Sequence, residues 1–149
     1  MIDRDCLLNV LRRYQDTQPG GIKHVDEQIE LFRHDCIFIS FPVVSVVGSV
    51  EPRLLHGRGA LYDAFQSYND YMRQQDSVSI TYVDAYADVQ NDGLAGICGF
   101  TLIIHVLSGA KRSMALNQAQ FHVGADGLIR RMMNWQAMST AQIQDAVRR

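Results

Sequence analysis

At 149 residues and 47% hydrophobic content, the chain suits one globular domain over residues 1–149 with a sizeable core, since domains of this length bury about two-thirds of the surface their unfolded chains expose. Its 14 Lys plus Arg stand against 16 Asp plus Glu, a net charge of −2 with no long run of either sign, which excludes the electrostatic footprint of a nucleic-acid binder and leaves neutral or small partners. Three widely spaced cysteines without a C-x-x-C pair argue for reduced thiols and a cytoplasmic setting, and no apolar run approaches the roughly 20 residues of a membrane span.

In chain order, Leu7, Val10, Leu11 and Tyr14 recur at the spacing of an amphipathic helix, predicted over about residues 4–16 with Asp3 or Asp5 capping its first turn. Pro19-Gly20-Gly21 stops it. Val25, Ile29 and Phe32 predict a shorter second helix that ends near His34, with Asp26, Glu27 and Glu30 on its wet side. Cys36 to Phe41 is β-branched and aromatic and reads as a strand ended by Pro42, and residues 43–56 read as a loop. The run His56-Gly57-Arg58-Gly59 leads into Leu61, Phe65, Tyr68 and Met72, a third helix of about four turns that stops between Gln74 and Ser77.

Beyond Ser77 the hydrophobic period changes from 3.6 to 2. Four long strands follow, joined at Asn91-Asp92-Gly93, Ser108-Gly109 and the Gly124–Gly127 turn, and such tight links make an antiparallel meander. The expected class is α+β, with three N-terminal helices packed in a curved, mainly antiparallel sheet, and Ser139 or Thr140 capping a last short helix. In the final hairpin Asn117 shares a row with Ala115, Ala119, Phe121 and Val123. On its second arm Met132, Asn134 and Gln136 form one row and Ile129, Arg131, Met133 and Trp135 the other. Two amides at core-like depth are the first functional hint.

The element order, the His56–Phe65 entry to the third helix and the ending F-x-V-x-x-D-G-L-I-x-R from Phe121 resemble the NTF2-like superfamily over about residues 3–140, its SnoaL-like and ketosteroid-isomerase-like branches in particular. The resemblance implies a cone enclosing an apolar pocket. In the isomerase branch an oxyanion-hole tyrosine falls at Tyr14, and a buried aspartate of the penultimate arm falls at Asn117, which can still donate a hydrogen bond but cannot titrate. The branch's proton-shuttling aspartate would lie in Ser40–Val43, where there is no carboxylate. The epoxide-hydrolase branch places its acidic and basic residues near Gly99, Thr101 and Asn134, and both acids are missing here.

The resemblance therefore implies a small-molecule isomerase, cyclase or dehydratase acting on a hydrophobic polyketide-, terpenoid- or steroid-like ligand. The alternatives are a non-catalytic binding or assembly module of the same fold and an epoxide hydrolase-like activity. The expected catalytic set is Tyr14, Asn117, His105 and Asn134, with Phe41, Phe65, Tyr68, Met132 and Thr101 binding substrate. His105 enters as the side-chain type that titrates near neutral pH, on the strand face it shares with Thr101 and Ile103. Each has a structural alternative: a core tyrosine with a backbone partner, amides bonded to neighbouring strands, a solvent-facing histidine. No two histidines share a ligand spacing on one element, so neither a metal nor a cofactor is expected. A homodimer is expected through the outer face of the sheet, using Tyr82, Tyr86, Gln118, Gln120, His122 and Trp135.

Overall fold

The computed structural model describes residues 1–41 and 53–138. Helix α1 (Arg4–Asp16) forms where its apolar stripe predicts, and the Asp3 side chain accepts a hydrogen bond from the Cys6 backbone N–H at 2.8 Å, closing its first turn. Leu7, Val10, Leu11 and Tyr14 are its buried face. A 3₁₀ turn at Pro19–Gly21 follows, in which Gly20 and Gly21 take positive φ.

Helix α2 is only five residues long (Val25–Ile29), and strand β1 (Phe32–Ser40) begins where the sequence pattern continues the helix. The reason is tertiary. The Ile129 N–H donates to the Leu31 carbonyl at 2.8 Å, and Phe32 lies opposite Ile129 in a parallel pairing, so sheet closure captures a residue whose spacing also suits a helix. A register shift between Phe32 and Ile37 leaves His34 and Asp35 exposed on the bulged segment.

Strand β2 (Arg53–His56) lies within the stretch read as a loop; it pairs antiparallel with β1, from Ser40 opposite Arg53 to Ile37 opposite His56. Four residues at a sheet edge carry no alternation to find in sequence. Helix α3 (Arg58–Arg73) and the long strands β3 (Ser77–Gln90), β4 (Ala95–Ser108), β5 (Lys111–Gly124) and β6 (Ile129–Met138) match the predicted elements. The proposed cap of a last helix at Ser139 or Thr140 lies outside the described residues.

The six strands make one mixed sheet in the order β2-β1-β6-β5-β4-β3, parallel only between β1 and β6. Helix α1 packs on β3 and β4, and α3 packs on β1, β2 and the short α2. At Gly96 a β-carbon would lie 2.7 Å from both methyls of Leu7, so the bare backbone there lets α1 settle against the sheet.

Two bulges re-aim side chains that strict alternation misplaces. Tyr82 pairs with Leu102 but Asp84 pairs with Thr101, leaving Val83 unpaired; Tyr82 therefore faces inward, whereas Asp84 and Tyr86 face outward. His122 pairs with Arg131 but Val123 with Ile129, so Ile129 joins Met132 on the buried face instead of the outer row.

Candidate active site

Between α1, α3 and the inner face of the sheet lies a cavity of about 270 Å³. Its walls are largely aromatic, with Tyr14 from α1, Phe65 and Tyr68 from α3, Phe38 from β1, Tyr82 from β3 and Phe100 from β4. Of the predicted site residues, Tyr14, Asn117, Asn134, Phe65, Tyr68 and Met132 do line it. His105 and Thr101 do not. The inward positions of β4 are the buried Phe100, Leu102, Ile104 and Val106, and the intervening Thr101, Ile103 and His105 take the outer face. Phe41 is 43% exposed past the end of β1, and Phe38 and Ser40 supply that part of the wall.

The sequence reading also missed the most polar element of the cavity, Lys23, which is 7% exposed. Its Nζ lies 2.7 Å from the Tyr14 hydroxyl, 2.7 Å from Gln18 Oε1 and 3.1 Å from Gln28 Oε1. It also stands over three rings, 4.3 Å from the Phe65 centroid, 4.8 Å from that of Tyr14 and 5.0 Å from that of Tyr68. Lys23 sits on the α1–α2 connection, in no periodic pattern, where lysine defaults to solvent. The one sequence signal was indirect: Gln28 interrupts the apolar side of the short second helix.

The connection is held in place from both sides. Asn69 of α3 accepts from the Lys23 backbone N–H at 2.8 Å and donates to the Lys23 carbonyl at 2.8 Å, while the Tyr68 hydroxyl donates to the Gly21 carbonyl at 2.9 Å. Gln28 donates to the Tyr14 carbonyl at 3.0 Å, closing one of the free carbonyls at the end of α1. The amine is thus aimed by fixed backbone rather than by a flexible loop.

Burial holds the Lys23 amine well below its ordinary range, because its partners Tyr14, Gln18 and Gln28 include no carboxylate that would compensate the cost of a buried charge. No Asp or Glu is among the described residues lining the cavity. Burial pushes the Tyr14 phenol well above its usual range, assisted by Tyr82 and Tyr68, and pushes Tyr82 up to about 12. The three partners of Lys23 suit both of its protonation states. An ammonium donates to all three oxygens; a neutral amine donates to the two glutamines and accepts from the Tyr14 hydroxyl, a change that needs only rotation of one O–H bond.

Across the cavity, Asn117 pairs its backbone with Leu102 and Gln136, and its side chain is 1% exposed. Neither Oδ1 nor Nδ2 has a hydrogen-bond partner among the described residues. A buried amide with both ends unspent and facing a cavity is rare in folded proteins and fits a ligand's polar group. Asn134 lines the same wall, opposite Ala119 in the register of β5 and β6.

Helices seated on one face of a six-stranded mixed sheet around a cavity make an α+β arrangement consistent with the NTF2-like fold. Among solved structures, the chain is similar to the epoxide hydrolase/cyclase-like enzyme SalBIII of pyran ring formation in polyether salinomycin, at 18% identity and TM-score 0.61 over 93% of this chain and 95% of that one. It is also similar to a candidate scytalone dehydratase from Novosphingobium aromaticivorans, at 13% identity and TM-score 0.65 over 91% and 85%. A third is a candidate polyketide cyclase from Xanthomonas campestris pv. campestris, at 15% identity and TM-score 0.58 over 97% and 96%. No protein-family model matches the sequence, and no curated protein does. Likeness at these identities establishes the fold and leaves the chemistry to the cavity.

Proposed function

We propose that the protein is an enzyme that isomerises, cyclises or dehydrates a hydrophobic small molecule of polyketide, terpenoid or steroid type by moving a proton at the Tyr14–Lys23 pair. The observation that carries this reading is the 2.7 Å contact between the Lys23 amine and the Tyr14 hydroxyl inside an apolar cavity. The activities ascribed to the structural neighbours, cyclisation and dehydration, also proceed through proton transfers.

The base missing at Ser40–Val43 is supplied from another part of the chain. In the resting state Tyr14 donates to the neutral amine. As a substrate C–H or O–H gives its proton to the Tyr14 oxygen, the Tyr14 proton passes to Lys23, so the phenol is regenerated and the charge rests on the ammonium. That ammonium already has three oxygen acceptors and three ring faces around it. Asn117 Nδ2 would donate to the substrate oxygen on which negative charge develops, an interaction of the kind that supplies a few kcal/mol. The aromatic walls exclude water and hold the reactive conformer.

The test needs no natural substrate. 5-Nitrobenzisoxazole loses a carbon-bound proton to a base with opening of its N–O bond, and the product is coloured. The expected result is ring opening well above the buffer rate, falling about 10²-fold or more in Lys23→Met. Equal rates for the wild type and Lys23→Met would overturn the assignment. They would favour the binding-module reading, which the absence of carboxylates among the described lining residues supports.

For assembly, the outer face of the sheet is the proposed homodimer surface, with Tyr82 removed from the expected set because it lines the cavity. Tyr86 and Gln120 remain there, joined at 3.0 Å through the Gln120 amide. Light scattering at twice the 16.8 kDa chain mass would support this, and the chain mass alone would refute it.

A further inference from the structure

We infer that the cavity takes its ligand as an anion: a flat, apolar acid whose ionised oxygen pairs with Lys23 while its rings lie between the aromatic walls. The inference deepens the proposed function by naming the substrate class for the same site. It rests on charge balance. Proteins rarely bury an ammonium without a carboxylate or another anion to match it. Among the described residues Lys23 is buried against the neutral oxygens of Tyr14, Gln18 and Gln28, and the second cation on the cavity wall, Arg53, is exposed at the β2 edge opposite Ser40. The described lining therefore offers two cationic side chains and no acid.

Asn117 is the second, independent observation. It lies 1% exposed on the cavity wall with both polar atoms unpartnered among the described residues, so its Nδ2 can donate to an anionic oxygen. An acid arriving protonated breaks its O–H bond and forms an N–H bond at Lys23, and one arriving ionised draws that proton from solvent. Either way the complex holds one ammonium and one oxyanion, the charge state that the Tyr14–Lys23 relay reaches once the substrate has given up its proton. The other titratable groups on the wall are Tyr14 from α1, Tyr68 and Tyr71 from α3, Tyr82 from β3 and Arg53 from β2. Burial raises the phenols of Tyr14, Tyr68 and Tyr82, which keeps them neutral where lysine titrates. From β4, β5 and β6 the wall carries only apolar and amide groups, such as Phe100, Asn117 and Met132.

Binding of three bicyclic probes, 1-naphthoate, 1-naphthol and 1-naphthalenemethanol, tests this at a lower and a higher pH in a series that ends near 10.5, the ordinary lysine value from which burial lowers Lys23. The acid and the alcohol have nearly the same shape and differ in charge. The expected result is naphthoate binding about 10-fold or more tighter than the alcohol at the lower pH, a preference that shrinks at the higher pH as the ammonium is lost and disappears in Lys23→Met. If naphthol binds as the naphtholate, seen in its absorbance below its solution pKa, the natural acid is of the phenol or enol kind. If only naphthoate shows the preference, it is a carboxylic acid. Alcohol binding as tight as both acids, a naphthoate preference unchanged by pH, or no binding of any probe would overturn the inference. The pH series on the wild type stands even if Lys23→Met does not fold. Because binding is read apart from the benzisoxazole reaction, loss of one result leaves the other standing.

Discussion

Asn69 and Asn117 are the same side chain at the same depth, each 1% exposed, and they are used in opposite ways. Asn69 spends both ends of its amide on the backbone of Lys23, at 2.8 Å each, and so fixes the connection between α1 and α2 to α3. Asn117 spends neither end on any described residue. One therefore holds the architecture of the site and the other faces its contents. Buried amides cost free energy unless paired, so the unpaired one marks where a ligand, rather than the fold, provides the partner.

Replacing the fold-holding amide should have the largest effect. Asn69→Leu removes two hydrogen bonds and leaves the Lys23 N–H and carbonyl buried without partners, each orphan costing roughly 1–3 kcal/mol, so urea unfolding should show a loss of about 2–6 kcal/mol. A loss below about 1 kcal/mol would mean that solvent reaches this connection and that Lys23 is not rigidly aimed. Next in size is Tyr14→Phe, which keeps the ring contacts with Phe121 and Phe100 but removes the hydroxyl beside Lys23. Ring opening of the benzisoxazole should fall about 10²-fold, equivalent to about 2.7 kcal/mol, while stability shifts by about 1 kcal/mol. A reversed pattern would make Tyr14 a structural residue like Asn69.

The contrast also explains what was legible in the sequence. Helix α1, helix α3 and the four-strand meander carry strong periodicity and capping signals, and they form as predicted. Tyr14 and Asn117 were legible because each sits in a regular apolar row, where a polar atom stands out. Lys23 was not, because its burial arises from contacts between elements far apart in sequence, through Asn69, Phe65 and Tyr68. His105 and Thr101 went wrong for a different reason. Alternation groups residues on one face of a strand without saying which face is inside, and on β4 the more apolar set is the other one. Tyr82 and Ile129 were misplaced because a bulge changes the face without leaving a mark in the pattern.

Lys23 itself supplies a smaller, pH-dependent effect. Burial lowers its pKa in the folded protein below 10.5, the value it regains on unfolding. Between those two values the unfolded chain binds the extra proton, so folding stability rises with pH across a window that ends near 10.5, with a slope of at most about 1.4 kcal/mol per pH unit. Lys23→Met should lack that slope, and the difference between the two proteins, measured by urea unfolding from about pH 7 to about pH 10, cancels the titration of the other groups. Saturating naphthoate should flatten the slope as well, since a bound anion supports the ammonium. A difference that stays constant with pH would mean that Lys23 keeps an ordinary pKa, and the neutral amine required for the proton relay would be gone.

The smallest stability change expected is the one that separates the two asparagines most clearly. Leucine has the branched shape and the same number of side-chain heavy atoms as asparagine, and at Asn117 it would remove two polar atoms that have no partner among the described residues, beside Leu102 and Ala119 on the same apolar wall. No hydrogen bond within the protein is lost, and the desolvation cost of the amide disappears, so Asn117→Leu should be neutral or stabilising by about 1 kcal/mol, opposite in sign to Asn69→Leu. Naphthoate affinity should nonetheless fall, by about 10-fold if Asn117 donates one hydrogen bond to an ionised oxygen. Stability and binding would then move in opposite directions from a single substitution, which a structural amide cannot produce. A destabilisation of more than about 1 kcal/mol with unchanged probe binding would show that Asn117 is paired within the fold in solution. The contrast between the two asparagines would then collapse, leaving the Tyr14–Lys23 contact as the sole support for a catalytic cavity.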